Sequence, residues 1–182
     1  MSYGAQIVTD RPVGKDGPFQ LHFSDDCKAW LSDNDISLLF TTYTLGKVVA
    51  LGPGQQGNIS ACERNFGRAM ALVPTPNGFY LSTLYQVWRF EHSLPPGMKV
   101  DGQWDRLYLP RSCHVTANVD VHDLHQNKDG EMLAAVTQYN CIASLNDRGN
   151  FNPVWRPPFI DRIVGEDRCH LNGFCMEDGE IA

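Results

Sequence analysis

Four side chains able to bind metal ions or transfer protons lie within six residues of this sequence. Asp120, His122, Asp123 and His125 all fall in the stretch 119–130, VDVHDLHQNKDG, which ends in an Asp-Gly pair. Carboxylate oxygens and imidazole nitrogens are donors that divalent metals use in hydrolytic enzymes. The stretch therefore indicates either a metal or catalytic cluster, or a polar inner strand of a repeating β-sheet.

Strand geometry decides which of these donors can act together. Residues two apart on a strand share a face, so Asp120 pairs with His122 and Asp123 pairs with His125. Either pair together with His170 could form a three-ligand site with an open position, as in catalytic zinc centres. The other interpretation is that Asp123 and Asn172 hydrogen-bond neighbouring backbone, because the spacing matches no defined metal motif. The candidate ligand or metal residues are Asp120, His122, Asp123, His125, His170 and Asn172.

Three arginines next to expected strand starts or loops are candidates for binding an anion. Arg68, Arg111 and Arg168 each carry a planar guanidinium, which binds a carboxylate or phosphate through two parallel hydrogen bonds. We favour the structural alternative, in which they connect repeat units through Asp or backbone carbonyls.

Cys169 and His170 are adjacent and would point to opposite faces of a strand, so they do not form a nucleophile and base. The catalytic residues, if any, are unknown.

The elements that must position these residues recur along the chain. Gly78, Gly130 and Gly179 each follow Asn or Asp, and they are spaced by about 50 residues. Asn-Gly and Asp-Gly favour the positive φ angles of a type I′ hairpin, so strands should flank each pair. Several short strands in a unit of about 50 residues are typical of a β-propeller blade. The polar stretch would then be an innermost strand that faces a central channel.

The repeat predicts an all-β fold, a partial β-propeller of about three four-stranded blades with a short N-terminal helix. Ser24 precedes two acidic residues and predicts a helix near residues 25–33. Residues 1–20 are rich in Gly and Pro and predict an N-terminal arm, while 21–182 would form the propeller domain. A closed propeller needs about four to eight blades. We therefore expect either a part of a longer propeller, or a ring that a second copy or another chain completes, and we favour self-association.

Composition narrows the class of protein. The 182 residues are 42% hydrophobic and 20% charged, which is typical of a soluble globular protein. A net charge of -6 argues against nucleic acid as a partner, and the apolar runs are too short for a membrane span. The start of the sequence lacks an apolar signal segment, and the six cysteines form no CxxC motif. We expect a cytoplasmic protein with reduced thiols.

Several segments resemble a known family. The most specific are DRLYLPRSCHVTANVDVHDLH at 105–125 and EDRCHLNGF at 166–174, and the similarity extends over most of the chain from about residue 28. The sequence resembles an uncharacterised, mainly bacterial family, the domain of unknown function 4915. The resemblance implies a β-propeller whose members are longer than this chain, so that it matches their N-terminal half. It implies no activity, cofactor or catalytic residue.

Two functions follow as expectations. The first is a binding or assembly module that engages a protein or small ligand at the channel mouth or the blade edges. The alternative is a metal-dependent hydrolase or lactonase-like enzyme that uses the His and Asp residues at the channel, a hypothesis that depends partly on fold analogy. The sequence leaves open whether the protein is an enzyme.

Overall fold

The computed structural model describes residues 20–102 and 104–182, and the chain divides into two compact units. The first unit ends at Phe66 and the second is Gly67–Ala182. The predicted arm, residues 1–20, lies outside the described residues except for Gln20, so it stays a prediction.

The first unit combines the helix with a three-stranded antiparallel sheet. Its elements are α1 (Asp25–Asp33), β1 (Leu38–Thr42), β2 (Lys47–Pro53) and β3 (Ile59–Asn65), with β2 in the centre. The hydroxyl of Ser24 accepts a hydrogen bond from the backbone N–H of Cys27 at 3.1 Å, which confirms the predicted N-cap. Leu31 of the helix is fully buried in a core cluster with Val49 and Leu51 of β2. This apolar contact holds the helix on the sheet.

The second unit contains two four-stranded antiparallel sheets and a short hairpin. Each four-stranded sheet is formed by consecutive strands in chain order, which is the topology of a propeller blade. The strands are β4 (Leu72–Thr75), β5 (Gly78–Ser82), β6 (Gln86–His92), β7 (Tyr108–Val115), β8 (Val121–Gln126), β9 (Met132–Val136), β10 (Cys141–Leu145), β11 (Asn152–Trp155), β12 (Met176–Glu177) and β13 (Glu180–Ile181).

The first strands of these two sheets, β4 and β8, are in contact. All residues of β9 and β10 are buried, so the middle of the second sheet is covered on both faces. Between the sheets the hydroxyl of Ser82 accepts from the N–H of Ala71 (2.8 Å) and donates to the carbonyl of Val121 (3.1 Å). A buried hydroxyl thus joins β5 to the start of β8.

The three predicted hairpins are present, but one turn differs from the prediction. Strands flank Gly78, Gly130 and Gly179, and the last two have φ angles of 81° and 78°. Gly78 has no positive φ; it lies in β5 opposite Glu91. A Cβ at Gly78 would meet the carbonyl oxygen of Phe90 at 1.9 Å. Close approach of a neighbouring strand, and not turn geometry, requires glycine there.

The predicted fold class is confirmed, because the protein is mostly β with one short N-terminal helix and antiparallel four-stranded sheets. Within residues 20–102 and 104–182, two sheets have four strands, one has three, and β12 with β13 forms a two-stranded sheet. In the described ranges no helix has the length and apolarity needed to cross a membrane.

Candidate functional site

Polar side chains from three separate segments of the second unit converge where its inner strands begin. We call this set the His/Asp cluster. One residue precedes β4, two lie at the start of β8, and three lie in the segment that precedes β12. Its members are Arg68, Asp120, His122, Asp167, His170 and Asn172.

A β-bulge places His122. Val121 pairs with Val136 and Asp123 pairs with Ala135, so His122 is an extra residue between them. Bulges of this kind redirect a side chain at the end of a strand. Asp120, immediately before the strand, has a φ of 55°. Its Oδ2 lies 3.2 Å from His122 Nε2, so the predicted pairing of these two residues on one side is observed.

The segment that contributes Asp167, His170 and Asn172 is held by the turn after β9. The N–H of Asp167 donates to the carbonyl of Gln138 (3.1 Å), and the N–H of Cys169 donates to Oδ1 of Asn140 (2.9 Å). The hydroxyl of Thr137 donates to the carbonyl of Leu171 at 2.6 Å. Three hydrogen bonds thus position a segment that contains no strand.

The side chain of His122 is buried, and both ring nitrogens have partners. Its side chain is only 6% exposed, Nδ1 lies 2.6 Å from Asn172 Oδ1, and Nε2 faces Asp120. Buried polar groups are stable when all their hydrogen bonds are made. A metal ion could bind this ring only by displacing one of the two partners.

His170 is the accessible histidine of the cluster. Its side chain is 58% exposed, its Nδ1 lies 2.8 Å from Asp167 Oδ2, and its ring meets that of His122 edge-on at 4.9 Å. The hydrogen bond to Asp167, and then the charge of that carboxylate, raise the pKa of His170. The other oxygen of Asp167 is buried and has no hydrogen-bond partner among the described residues. Backbone angles at Asp167 and His170 are left-handed, with φ of 43° and 48°.

The second predicted pair has different neighbours. His125 Nε2 lies 3.1 Å from Asp123 Oδ2, and the same oxygen accepts from the N–H of Phe174 (3.2 Å). Asp123 Oδ1 accepts from the N–H of Leu124, and the ring of Phe174 meets His125 edge-on at 4.7 Å. Asp123 therefore makes the backbone hydrogen bonds that the structural interpretation predicted. His170 joins Asp120 and His122, and not this pair.

The three-ligand metal site that the sequence left possible is not formed in the described parts of the chain. Over residues 20–102 and 104–182, no three His, Cys, Asp or Glu side chains are arranged to hold a metal ion. Imidazole and carboxylate groups are suitable ligands by type. Here their donor atoms face Asn172, backbone N–H groups and one another.

The three candidate anion-binding arginines have carboxylate neighbours. Arg68 connects two sheets, because NH1 lies 3.4 Å from Asp120 Oδ1. Arg111 Nε lies 3.6 Å from Glu91, its neighbour in β6. Arg168 lies 2.6 Å from Asp161, which lowers the pKa of that carboxyl. Only Arg68 belongs to the His/Asp cluster.

Asp167 belongs to the cluster but was not among the candidates from the sequence. Its place there depends on a left-handed backbone conformation, with a φ of 43°, which no sequence pattern indicated.

The fold and the cluster define a propeller-like β-protein with a polar site at the start of its inner strands. The chain belongs to the family described as Domain of unknown function (DUF4915), whose model matches residues 25–182. The predicted resemblance is thereby confirmed. A search of curated proteins finds no significant match.

One solved structure shows a partial likeness. It is a catalytically inactive variant of virginiamycin B lyase from Staphylococcus aureus with quinupristin, 14% identical, with a TM-score of 0.43. The similarity covers 69% of this chain and 39% of that protein, so the chain spans less than half of its length.

Proposed function

We propose that this chain is a non-enzymatic binding module whose His/Asp cluster binds a small ligand that carries a carboxylate or phosphate. The observation that supports this is the arrangement of His170. Its ring is exposed, while its Nδ1 is fixed by Asp167 and its ring packs edge-on with that of His122. A positioned imidazole of this kind can donate Nε2–H to an anion with little loss of side-chain freedom.

Charge supports an anionic ligand. Asp167 favours the protonated form of His170 by raising its pKa, so the imidazolium persists to higher pH than in an isolated histidine. The guanidinium of Arg68 is half-exposed at the same cluster and faces Asp120. Two groups in one cluster that can carry positive charge are suited to a carboxylate or phosphate, because charge-assisted hydrogen bonds are stronger than neutral ones.

An NMR titration tests the proposal, with the imidazole resonances of His170 observed while succinate or inorganic phosphate is added. We expect saturable shifts and a further rise in the pKa of His170, because a bound anion stabilises the imidazolium. Glycerol should cause no shift. Arg68→Ala should weaken binding, and His125→Ala, at the neighbouring pair, should leave it unchanged. Equal shifts in Arg68→Ala, or none in the native protein, would refute the proposal.

The metal-dependent hydrolase remains the alternative, and elemental analysis separates the two functions. That function requires stoichiometric divalent metal in the purified protein and its loss in His122→Ala. Such a result would replace the binding proposal, because the metal would occupy the ring nitrogens that now contact Asp120 and Asn172.

We also propose that copies of the chain associate through the edge of β11. Val154 and Trp155 on this strand and Phe159 beyond it are exposed apolar side chains, and exposed strand edges favour pairing between chains. Light scattering should give a mass above that of one chain, and Trp155→Glu should reduce it to one chain. A native protein that scatters as a single chain contradicts this proposal.

A further inference from the structure

The two four-stranded sheets of the second unit border a groove that is separate from the His/Asp cluster. Its volume is about 320 Å³. The first sheet contributes Tyr80, Val87 and residues 112–114, and the second contributes 130–132 and 145–147. Small-molecule sites have volumes of about 300 to 1,000 Å³, so the groove is large enough for a short organic ligand.

The groove has an apolar floor and an acidic rim. Val87, Met132 and Leu145 are buried apolar residues, and Glu131 and Asp147 are exposed at the rim. Among the described residues that line the groove there is no lysine or arginine. The surface therefore combines apolar area with excess negative charge.

The negative charges of the two rim carboxylates are little neutralised by neighbouring groups of the described chain. Among the described residues, the Glu131 carboxylate accepts only a long hydrogen bond from the side-chain amide of Asn127, at 3.4 Å. Asp147 forms no ion pair with any residue of the described chain. Both carboxylates are exposed, so each attracts a cation with the modest strength of a surface ion pair, and burial of an attached apolar arm adds to the binding.

One wall of the groove is fixed before any ligand binds. His114 Nε2 donates to the carbonyl of Asn150 at 2.7 Å, and the side-chain amide of Asn150 donates to the carbonyl of Val115 at 2.9 Å. These bonds connect β7 of the first sheet to the loop between β10 and β11 of the second. A ligand would therefore meet a formed surface and would not have to order it.

We propose that this groove binds an organic cation, a protonated amine or guanidinium attached to a short apolar arm. The apolar arm lies on Val87, Met132 and Leu145, and the cationic group lies between Glu131 and Asp147. The same chemistry occurs in a free amine and in the lysine or arginine side chain of a peptide. The assay below separates these two sources.

Calorimetric titration of the full chain tests the proposal with phenethylamine and with the peptide acetyl-Phe-Arg-amide. Binding of phenethylamine indicates a free amine, and binding of the peptide alone indicates a side chain. 2-Phenylethanol has the same arm without the charge, and we expect its affinity to be lower by about tenfold. No binding of either cation, or equal binding of the alcohol, would overturn the proposal.

Variants that remove the charge of one rim carboxylate test where the cationic group of the ligand binds. Glu131→Gln and Asp147→Asn should each raise the dissociation constant about threefold, the size expected for one exposed ion pair. Asp129→Asn is the matched control, because Asp129 lies in the same turn as Glu131 but does not line the groove. Both rim residues are exposed, so the variants should fold. An unchanged dissociation constant in the double variant contradicts the proposal.

The alkylation rate of Cys113 provides a second test of where the ligand binds. It lines the groove and is exposed, whereas the exposed Cys175 does not line it. Saturating phenethylamine should slow the alkylation of Cys113 by iodoacetamide and leave that of Cys175 unchanged. Equal rates at Cys113 with and without the amine would place the ligand elsewhere and refute the assignment.

Discussion

The rings of His122 and His170 meet edge-on, with centroids 4.9 Å apart, although the two residues belong to successive repeat units. One ring is buried and fully hydrogen-bonded, and the other is exposed and held by a carboxylate. The two histidines of the cluster therefore differ in their access to solvent. The side chain of His122 is enclosed by its neighbours, and that of His170 is open to solvent.

His122→Ala should destabilise the protein by about 2 kcal/mol, because Asp120 and Asn172 would each lose a buried partner. Urea unfolding followed by circular dichroism measures the change. His22→Ala is the control, since His22 is exposed in the first unit. Equal unfolding midpoints for the two variants would show that the buried hydrogen bonds add nothing to stability.

The pair of His170 and Asp167 should make stability depend on pH. Asp167 raises the pKa of His170 in the folded state above its unfolded value, so the pair stabilises the fold below the unfolded pKa. This contribution is lost as the pH rises through the folded pKa. We therefore expect His170→Gln to lower the melting temperature more at about pH 5.5 than at about pH 8.5.

An NMR titration of the same histidine provides the check. Asp167→Asn should return the pKa of His170 toward its ordinary value, because the variant removes the carboxylate charge and weakens the hydrogen bond. A titration curve that is identical in the native protein and in this variant would contradict the assignment.

Ser82→Ala should cost about 2 kcal/mol of unfolding free energy, because the buried N–H of Ala71 and the carbonyl of Val121 lose their shared partner. Chemical denaturation measures this loss. Ser112→Ala, on the exposed edge strand β7, should change stability by less than about 0.5 kcal/mol. If the two variants are equally stable, the hydroxyl does not connect the sheets energetically.

Gly78→Ala should destabilise the fold by about 3 kcal/mol or more, because the new methyl group would overlap the carbonyl of Phe90. Backbone must move to make room for it. Gly149→Ala is the matched control, since a Cβ there has no heavy atom within 4 Å and its φ is not positive. Thermal melting of both variants tests the difference, and a native-like Gly78→Ala would disprove the close approach.

Cys141 should resist alkylation in the native protein. It is fully buried, and burial raises the pKa of its thiol to about 11, so little thiolate is present at neutral pH. Cys175 is exposed and should react readily with iodoacetamide. Mass spectrometry of the labelled protein measures both sites, and urea should make Cys141 reactive. Fast labelling of native Cys141 would show that β10 opens without global unfolding.

Much of the local structure could be predicted from residue order. Ser24 marks the start of α1, and Asn-Gly or Asp-Gly marks each hairpin. Alternation along a strand predicted that Asp123 faces His125, and this contact is present. The predicted contact of Asp120 with His122 is also present, but a bulge and a left-handed residue form it, and not alternation. Gly78 is an exception, because its requirement comes from Phe90 on a neighbouring strand and not from its own turn.

What the sequence by itself determined is the repeat, the strands and the polar pairs, because these depend on backbone periods that extend over a few residues. Tertiary structure alone decided which partners the pairs acquire. The bulge at His122, the left-handed angles at Asp120, Asp167 and His170, and the hydrogen bonds from the turn at 137–140 brought His170 to His122. These contacts join residues that are far apart in the chain, so their geometry is set by the packing of successive sheets.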